Sequence, residues 1–262
     1  MAAAGTQTLN HWRGDYGFLI RNLILKDFRV RYRNASLGVF WSLLNPLVMM
    51  TVFWFVFTRV FTNDIKNFPV FLLSGLVPFN FFTLAWATGT TCLVDNTALV
   101  KRVAIPREII PISSVLSNSL HFLAQIVLLL GFVVCTVGVN QHWIWLPVVW
   151  GFEVVFVCGL VFVFSAVNVY VRDTRYVVES CTTVLIWLVP IFYPFSVIAP
   201  RFRNLYQFNP MAAIVLATRA ILLEGRTPPE SLLVKLAIGS VLSFAFGWFL
   251  FRKMRIRLFD RL

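Results

Sequence analysis

Charge is scarce in this 262-residue chain: Asp, Glu, Lys and Arg make up 13% of it, and 11 residues are acidic. A soluble domain carries about 25% charged residues. The usual carriers of chemistry are missing too. There is no G-x-x-x-x-G-K-[ST] loop and no G-x-G-x-x-G turn, so no nucleotide site is expected. There is no G-x-S-x-G elbow and no H-E-x-x-H pair. His11, His121 and His142 are far apart, and Asp95 and Asp173 have no partnering carboxylate nearby in sequence. A transferase acting on sugars or phosphates usually needs clustered acids for metal or general-base work. No catalytic, cofactor-binding or metal-ligating residue is therefore assigned. Cys92, Cys135, Cys158 and Cys181 form no C-x-x-C pair. They lie in or beside apolar runs and read as small hydrophobes.

What fills the chain is apolar: 59% hydrophobic residues, 16% aromatic. A soluble fold of this size has no interior large enough to hide them, and the same numbers exclude disorder, collagen and coiled coil. The expected class is an all-α integral membrane protein. A membrane-crossing helix needs about 20 mostly apolar residues. Six runs qualify: Leu37 to Phe57, Phe71 to Leu93, Ile109 to Val139, Ile144 to Val171, Tyr176 to Phe195 and Ser231 to Phe251. The organisation expected is a cytoplasmic segment at 1–36, a six-span domain at 37–251 and a basic cytoplasmic tail at 252–262. The first apolar run starts behind six basic residues and does not read as a cleavable signal.

The net charge is +12. No nucleic-acid reading motif accompanies it, so no nucleic-acid partner is expected. Membrane proteins concentrate Lys and Arg in cytoplasmic loops. With the N-terminus inside, the inner segments hold 16 basic residues and the outer ones 7, Arg219 and Lys235 counted among the outer. Both termini are therefore expected in the cytoplasm. Glu153 falls near the outer end of span four and reads as an interfacial carboxylate rather than an ion-coupling group. Trp143, Trp145 and Trp150 read as an outer aromatic belt, with Trp12 at the inner one.

Two segments are not plain spans. Asp15, Asn22, Lys26, Arg29 and Arg33 make one polar stripe at helical period, with Phe18, Leu23, Leu25 and Phe28 elsewhere on the wheel. That pattern predicts an amphipathic helix lying on the membrane and touching protein as well as lipid. Met211 to Leu223, after Asn209-Pro210, is too short and, with Arg219, too polar to span. It reads as a re-entrant or interfacial outer helix.

Four stretches are specific in order and spacing: LKDFRVRYR (25–33) with LGVFWSLLNP (37–46), NTALVKRVAIPREIIP (96–111), YVRDTR (170–175), and PIFYP (190–194) followed by NPM (209–211) and RAILLEG (219–225). Together they resemble the membrane subunit of type-2 ABC exporters for polysaccharides, a group that includes O-antigen (Wzm-type), capsule and teichoic-acid permeases. The resemblance runs from about Asp15 to the C-terminus. It implies an N-terminal interface helix, six spans and short outer gate helices between spans five and six. It implies a multi-pass protein of the bacterial inner membrane, no enzyme itself. The implied assembly has a second copy of the chain and two ATP-binding cassette subunits that carry ATP and Mg. The implied cargo is a polyprenyl-diphosphate-linked glycan.

Under that resemblance the loop between spans two and three is the expected coupling helix. Asp95 or Asn96 would cap it and Pro106 would stop it. Leu99, Val100 and Val103 would form an apolar face beside Lys101 and Arg102, with Arg107 following. Arg172, Asp173 and Arg175 would make a second contact. Arg29, Arg31 and Arg33 would hold the lipid diphosphate, because a guanidinium binds phosphate oxygens bidentately; anchoring to anionic lipid is the alternative. Trp54, Phe79, Phe81, Phe82, Trp86, Tyr193 and Phe195 are candidate channel-lining faces for sugar rings, with helix packing the alternative for each. The function expected is O-antigen export. Teichoic-acid, capsule, small-lipid or drug export stays open, and a membrane-bound biosynthetic enzyme or a non-transporting scaffold is the more distant rival.

Overall fold

A computed structural model describes residues 15–32, 40–60, 65–102 and 106–261. Among these residues the regular structure is helical throughout: α1 (Tyr16–Tyr32), α2 (Phe40–Phe55), α3 (Phe68–Asp95), α4 (Thr97–Arg102), α5 (Ile109–Thr136), α6 (Leu146–Tyr170), α7 (Thr174–Leu188), α8 (Pro200–Phe208), α9 (Pro210–Leu222) and α10 (Glu230–Arg261). Four helical segments are long and apolar enough to cross a membrane: Phe68–Asp95, Ile109–Thr136, Gln141–Tyr170 and Glu230–Arg255. At about 1.5 Å per residue each exceeds a hydrocarbon core of about 30 Å.

α3 is the central post. It is buried on nearly every side, against α2, α5, α6, α7 and α9. That all-round apolar surface is what its sequence offers, since no face of it is polar. α6 and α10 make the most extensive helix pair. They approach backbone to backbone, because a Cβ added at Gly247 would lie 2.1 Å from the carbonyl oxygen of Gly159. Small residues permit such contact, and close packing is the main force joining helices in lipid. Ser243 adds a hydrogen bond from Oγ to the Phe156 carbonyl at 3.3 Å.

Three runs depart from the spans read in the sequence. The first forms α2, with Pro46 inside it, and then a π-helical turn at Val56–Val60. Its opening residues, through Val39, lie outside the described residues. The fifth forms only α7, which stops at Leu188. Pro190 has no N–H to continue the ladder, and the chain runs on without α-helix past Pro194. The sixth overruns its expected end at Phe251, and α10 continues through the basic residues to Arg261.

The long helices give the bundle two ends. One end carries α4, residues 106–108, residues 171–173 and the last turns of α10. The opposite end carries residues 65–67, residues 137–145, and the stretch from 189 to 229 with α8 and α9. α1 lies against α5. Leu23 is buried there, and the Phe28 ring stacks on His121 with centroids 5.5 Å apart. Asp15, Asn22, Lys26 and Arg29 are exposed as the stripe requires, and so are Phe18 and Val30. The helix therefore has protein on one side and an apolar surface left for lipid.

Candidate coupling end and a buried arginine

At the α4 end, Asn96 closes α3 and opens α4. Its backbone N–H donates to the Cys92 carbonyl, and its own carbonyl accepts from Leu99 and Val100. The expected side-chain cap is not made. Asn96 Nδ2 donates to the Cys92 carbonyl, and Oδ1 accepts from Lys26 Nζ of α1. Asp95 Oδ2 is held by the Thr91 hydroxyl at 2.6 Å. Val100 is buried with Cys92, Leu93, Ile110, Phe162 and Phe251, and Leu99 packs on the same cluster. The apolar side of α4 thus seats the helix on its own bundle and leaves Ala98 and Lys101 exposed. The Arg102 side chain and Val103 lie outside the described residues.

Pro106 follows, half-buried. Arg107 donates to the backbone carbonyl of Arg255, and the buried Glu108 pairs with the Arg255 guanidinium. Tyr170 Oη reaches the Met254 carbonyl at 3.5 Å. Arg172, Asp173 and Arg175 are all exposed, with Arg175 over the Tyr176 ring at 4.4 Å. One end of the bundle therefore gathers Lys101, Arg107, Arg172, Asp173, Arg175 and Arg255, cross-braced by α1 and α10. Arg29 is exposed on α1. The Arg31 side chain and Arg33 fall outside the described residues.

The aromatic set divides. Phe79, Phe81, Phe82 and Trp86 lie inside the bundle. Phe81 stacks on Phe122 at 4.5 Å, Phe82 on Phe156 at 6.1 Å, and Trp86 meets Phe164 edge-on at 5.0 Å. Within the chain these four rings are packing residues. Trp54 is exposed on α2, while Tyr193 and Phe195 are half-buried beyond α7. Trp150, read as a belt residue, is buried with its ring edge-on to Phe122.

Arg219 counts among the outer basic residues on a short outer helix; the structure keeps it on a helix and buries it. It lies on α9, which Pro210 opens and Asn209 Oδ1 caps through the Met211 N–H at 3.0 Å. Arg219 is buried. Its Nη1 donates to the Pro190 carbonyl. Nη2 donates to the carbonyls of Ile191 at 2.7 Å and Phe71 at 3.2 Å, and Nε to Ser74 Oγ at 3.4 Å. The guanidinium carbon sits 3.5 Å from the centroid of the Phe71 ring. A helix that stops inside a bundle leaves carbonyls without partners, and the C-terminal end of its dipole favours a cation. Arg219 places a cation just beyond the end of α7 and binds the carbonyls of the turn that follows it.

The profile of ABC-2 type transporters matches residues 19–223. The chain belongs to the ABC-2 type transporter family. Among its relatives, an O-antigen export system permease protein RfbA of Klebsiella pneumoniae is 29% identical, over 92% of this chain and 95% of the relative. RfbA of Myxococcus xanthus is 31% identical over 86% and 88%. The polysialic acid transport protein KpsM of Escherichia coli is 24% identical over 89% and 92%.

For this ABC-2 chain, sequence reading missed three groups. Arg219 had a signal, being the one charge in the thirteen-residue α9. Glu153 had the same signal, a lone acid in an apolar helix. It was placed at the interface, yet it is fully buried, and neither oxygen accepts a hydrogen bond from the described residues. The Glu108–Arg255 pair had none, because 147 residues separate its members.

Proposed function

We propose that this chain is the permease half of an ATP-driven exporter that moves a polyprenyl-diphosphate-linked polysaccharide, O-antigen first among the candidates, across the bacterial inner membrane. The observation that carries the reading is the near full-length match to O-antigen export permeases. In this reading α2, α3, α5, α6, α7 with the residues after it, and α10 are six spans. The α4 end is cytoplasmic, in keeping with its basic loops. ATP and Mg are bound by two ATP-binding cassette subunits, which dock on Lys101, Arg172 and Arg175.

Two copies of the chain enclose the passage across α2 and α7. Both helices carry large exposed apolar residues, among them Val52, Trp54 and Phe55 on α2 and Val177, Val184 and Trp187 on α7. Trp54, Tyr193 and Phe195 offer flat faces to passing sugar rings. Arg29, Arg31 and Arg33 receive the lipid diphosphate on the cytoplasmic side. α8 and α9 close the outer end.

Co-expression with an ATP-binding cassette subunit from the same organism tests the assembly. The expected result is a 2:2 complex that hydrolyses ATP. A permease that purifies alone from membranes containing that ATPase contradicts the reading.

A further inference from the structure

α7 is loosely held. Only Thr174, Val178 and Thr182 are buried along its length, with Leu185 and Ile186 partly buried against the core, and its outer end meets the bundle through the turn at residues 189–191. α9 is the opposite: it is buried from Met211 to Val215 and again from Ala217 to Leu222, among α3, α6 and α10. Arg219 bridges the two, with its side chain rooted in the fixed helix and its donors on carbonyls at the end of the loose one. Gly75 of α3 makes room for this. A Cβ there would lie 3.3 Å from Arg219 Nη2 and 3.2 Å from Ile191 Cγ2.

The acceptors are all neutral. No carboxylate pairs with Arg219 among the described residues, and Glu224, five positions on, pairs with Arg226 instead. A carboxylate partner would leave an unpaired buried charge on each side when parted. Carbonyl acceptors leave only one charge to re-solvate, so the contact can be broken and remade. Because the donors share one planar group, they engage and release together.

We infer that Arg219 is a latch: it fixes the outer end of α7 to the bundle in the resting state, and the end of α7 moves when the Pro190 and Ile191 carbonyls are released. What that movement opens, and the two-copy complex in which it is read, rest on the exporter reading; the latch can still be measured apart from export. Arg219 is a positioning residue in this account, since it acts through α7.

The test uses the purified permease–ATPase complex with a nitroxide on Ser180→Cys, exposed on α7, in a background where Cys135 and Cys181 are Ser. Pulsed dipolar spectroscopy then reads the distance between α7 helices of the two copies. The parent should give one narrow distance without nucleotide. Arg219→Gln should lose that narrow peak, at normal yield of complex, and make the membrane leaky to small ions in vesicles. Arg219→Lys keeps the buried cation and so the assembly, but a single ammonium cannot reach the acceptors on α3 and after α7 together. It should broaden the distance partly. Gly75→Ala, which crowds both Arg219 and Ile191, should do the same. An assembled Arg219→Gln or Arg219→Lys complex with the parental distance and a sealed membrane overturns the latch. Loss of export with parental distances would also count against the latch and leave the exporter reading standing.

Discussion

Glu108 and Arg255, 147 residues apart, form an ion pair that fastens the connection after α4 to the last turns of α10. Arg107 strengthens the same joint through the Arg255 carbonyl. The joint ties residues 107 and 108 to α10, which in turn packs on α6. Removing the acid should leave Arg255 unpaired. Because Arg255 is 40% exposed, the loss should be about 1–3 kcal/mol. Thermal unfolding of the detergent-solubilised Glu108→Ala protein measures it. The swap Glu108→Arg with Arg255→Glu should recover part of the loss, and absence of any recovery would show that the two do not act as a pair.

Lys101 and Leu99 should separate docking from folding. Lys101 is exposed, so Lys101→Asp should leave yield and insertion unchanged and weaken association with the ATPase by about 2–5 kcal/mol. Leu99 packs on the chain's own core. Leu99→Asp should lower the amount of folded permease even when the ATPase is absent. Yield and co-purification, measured on both variants, check the distinction.

The α6–α10 contact predicts opposite outcomes for two glycines. Gly247→Ala would drive a methyl into the Gly159 carbonyl, and should destabilise by about 1–3 kcal/mol as overpacking does. Gly131→Ala on α5 meets nothing within 4 Å and should cost nothing. Unfolding midpoints for the pair are the readout.

The arginines of α1 should tell anchoring from cargo recognition. Arg→Lys at 29, 31 or 33 keeps the positive charge and loses the planar fork. At least one Lys variant should insert normally and export poorly. Normal export by all three leaves anchoring as their role.

Long apolar runs made α3, α5, α6 and α10 legible in the sequence, and the polar stripe did the same for α1. Other features turn on direction, which composition does not carry. Phe79, Phe82 and Trp86 look alike whether they line a passage or fill a bundle, because α3 is apolar all round. Leu99 and Val100 form the apolar face that the pattern predicted, but only the fold shows that this face points inward. Hydropathy carried span five past Leu188, since Val189, Ile191 and Phe192 are as apolar as a helix needs; Pro190 breaks the ladder instead. The burial of Arg219 was not legible because its acceptors, carbonyls of the turn after α7, lie 28 and 29 residues away.

Export itself is tested most directly by deleting the chain's gene and following the glycan. The account predicts loss of surface polysaccharide together with accumulation of full-length, polyprenyl-diphosphate-linked polymer on the cytoplasmic face, and restoration of both by the intact gene. Loss of surface polysaccharide without any accumulated lipid-linked polymer would contradict it and point to a role in synthesis, and unchanged surface polysaccharide would contradict it outright.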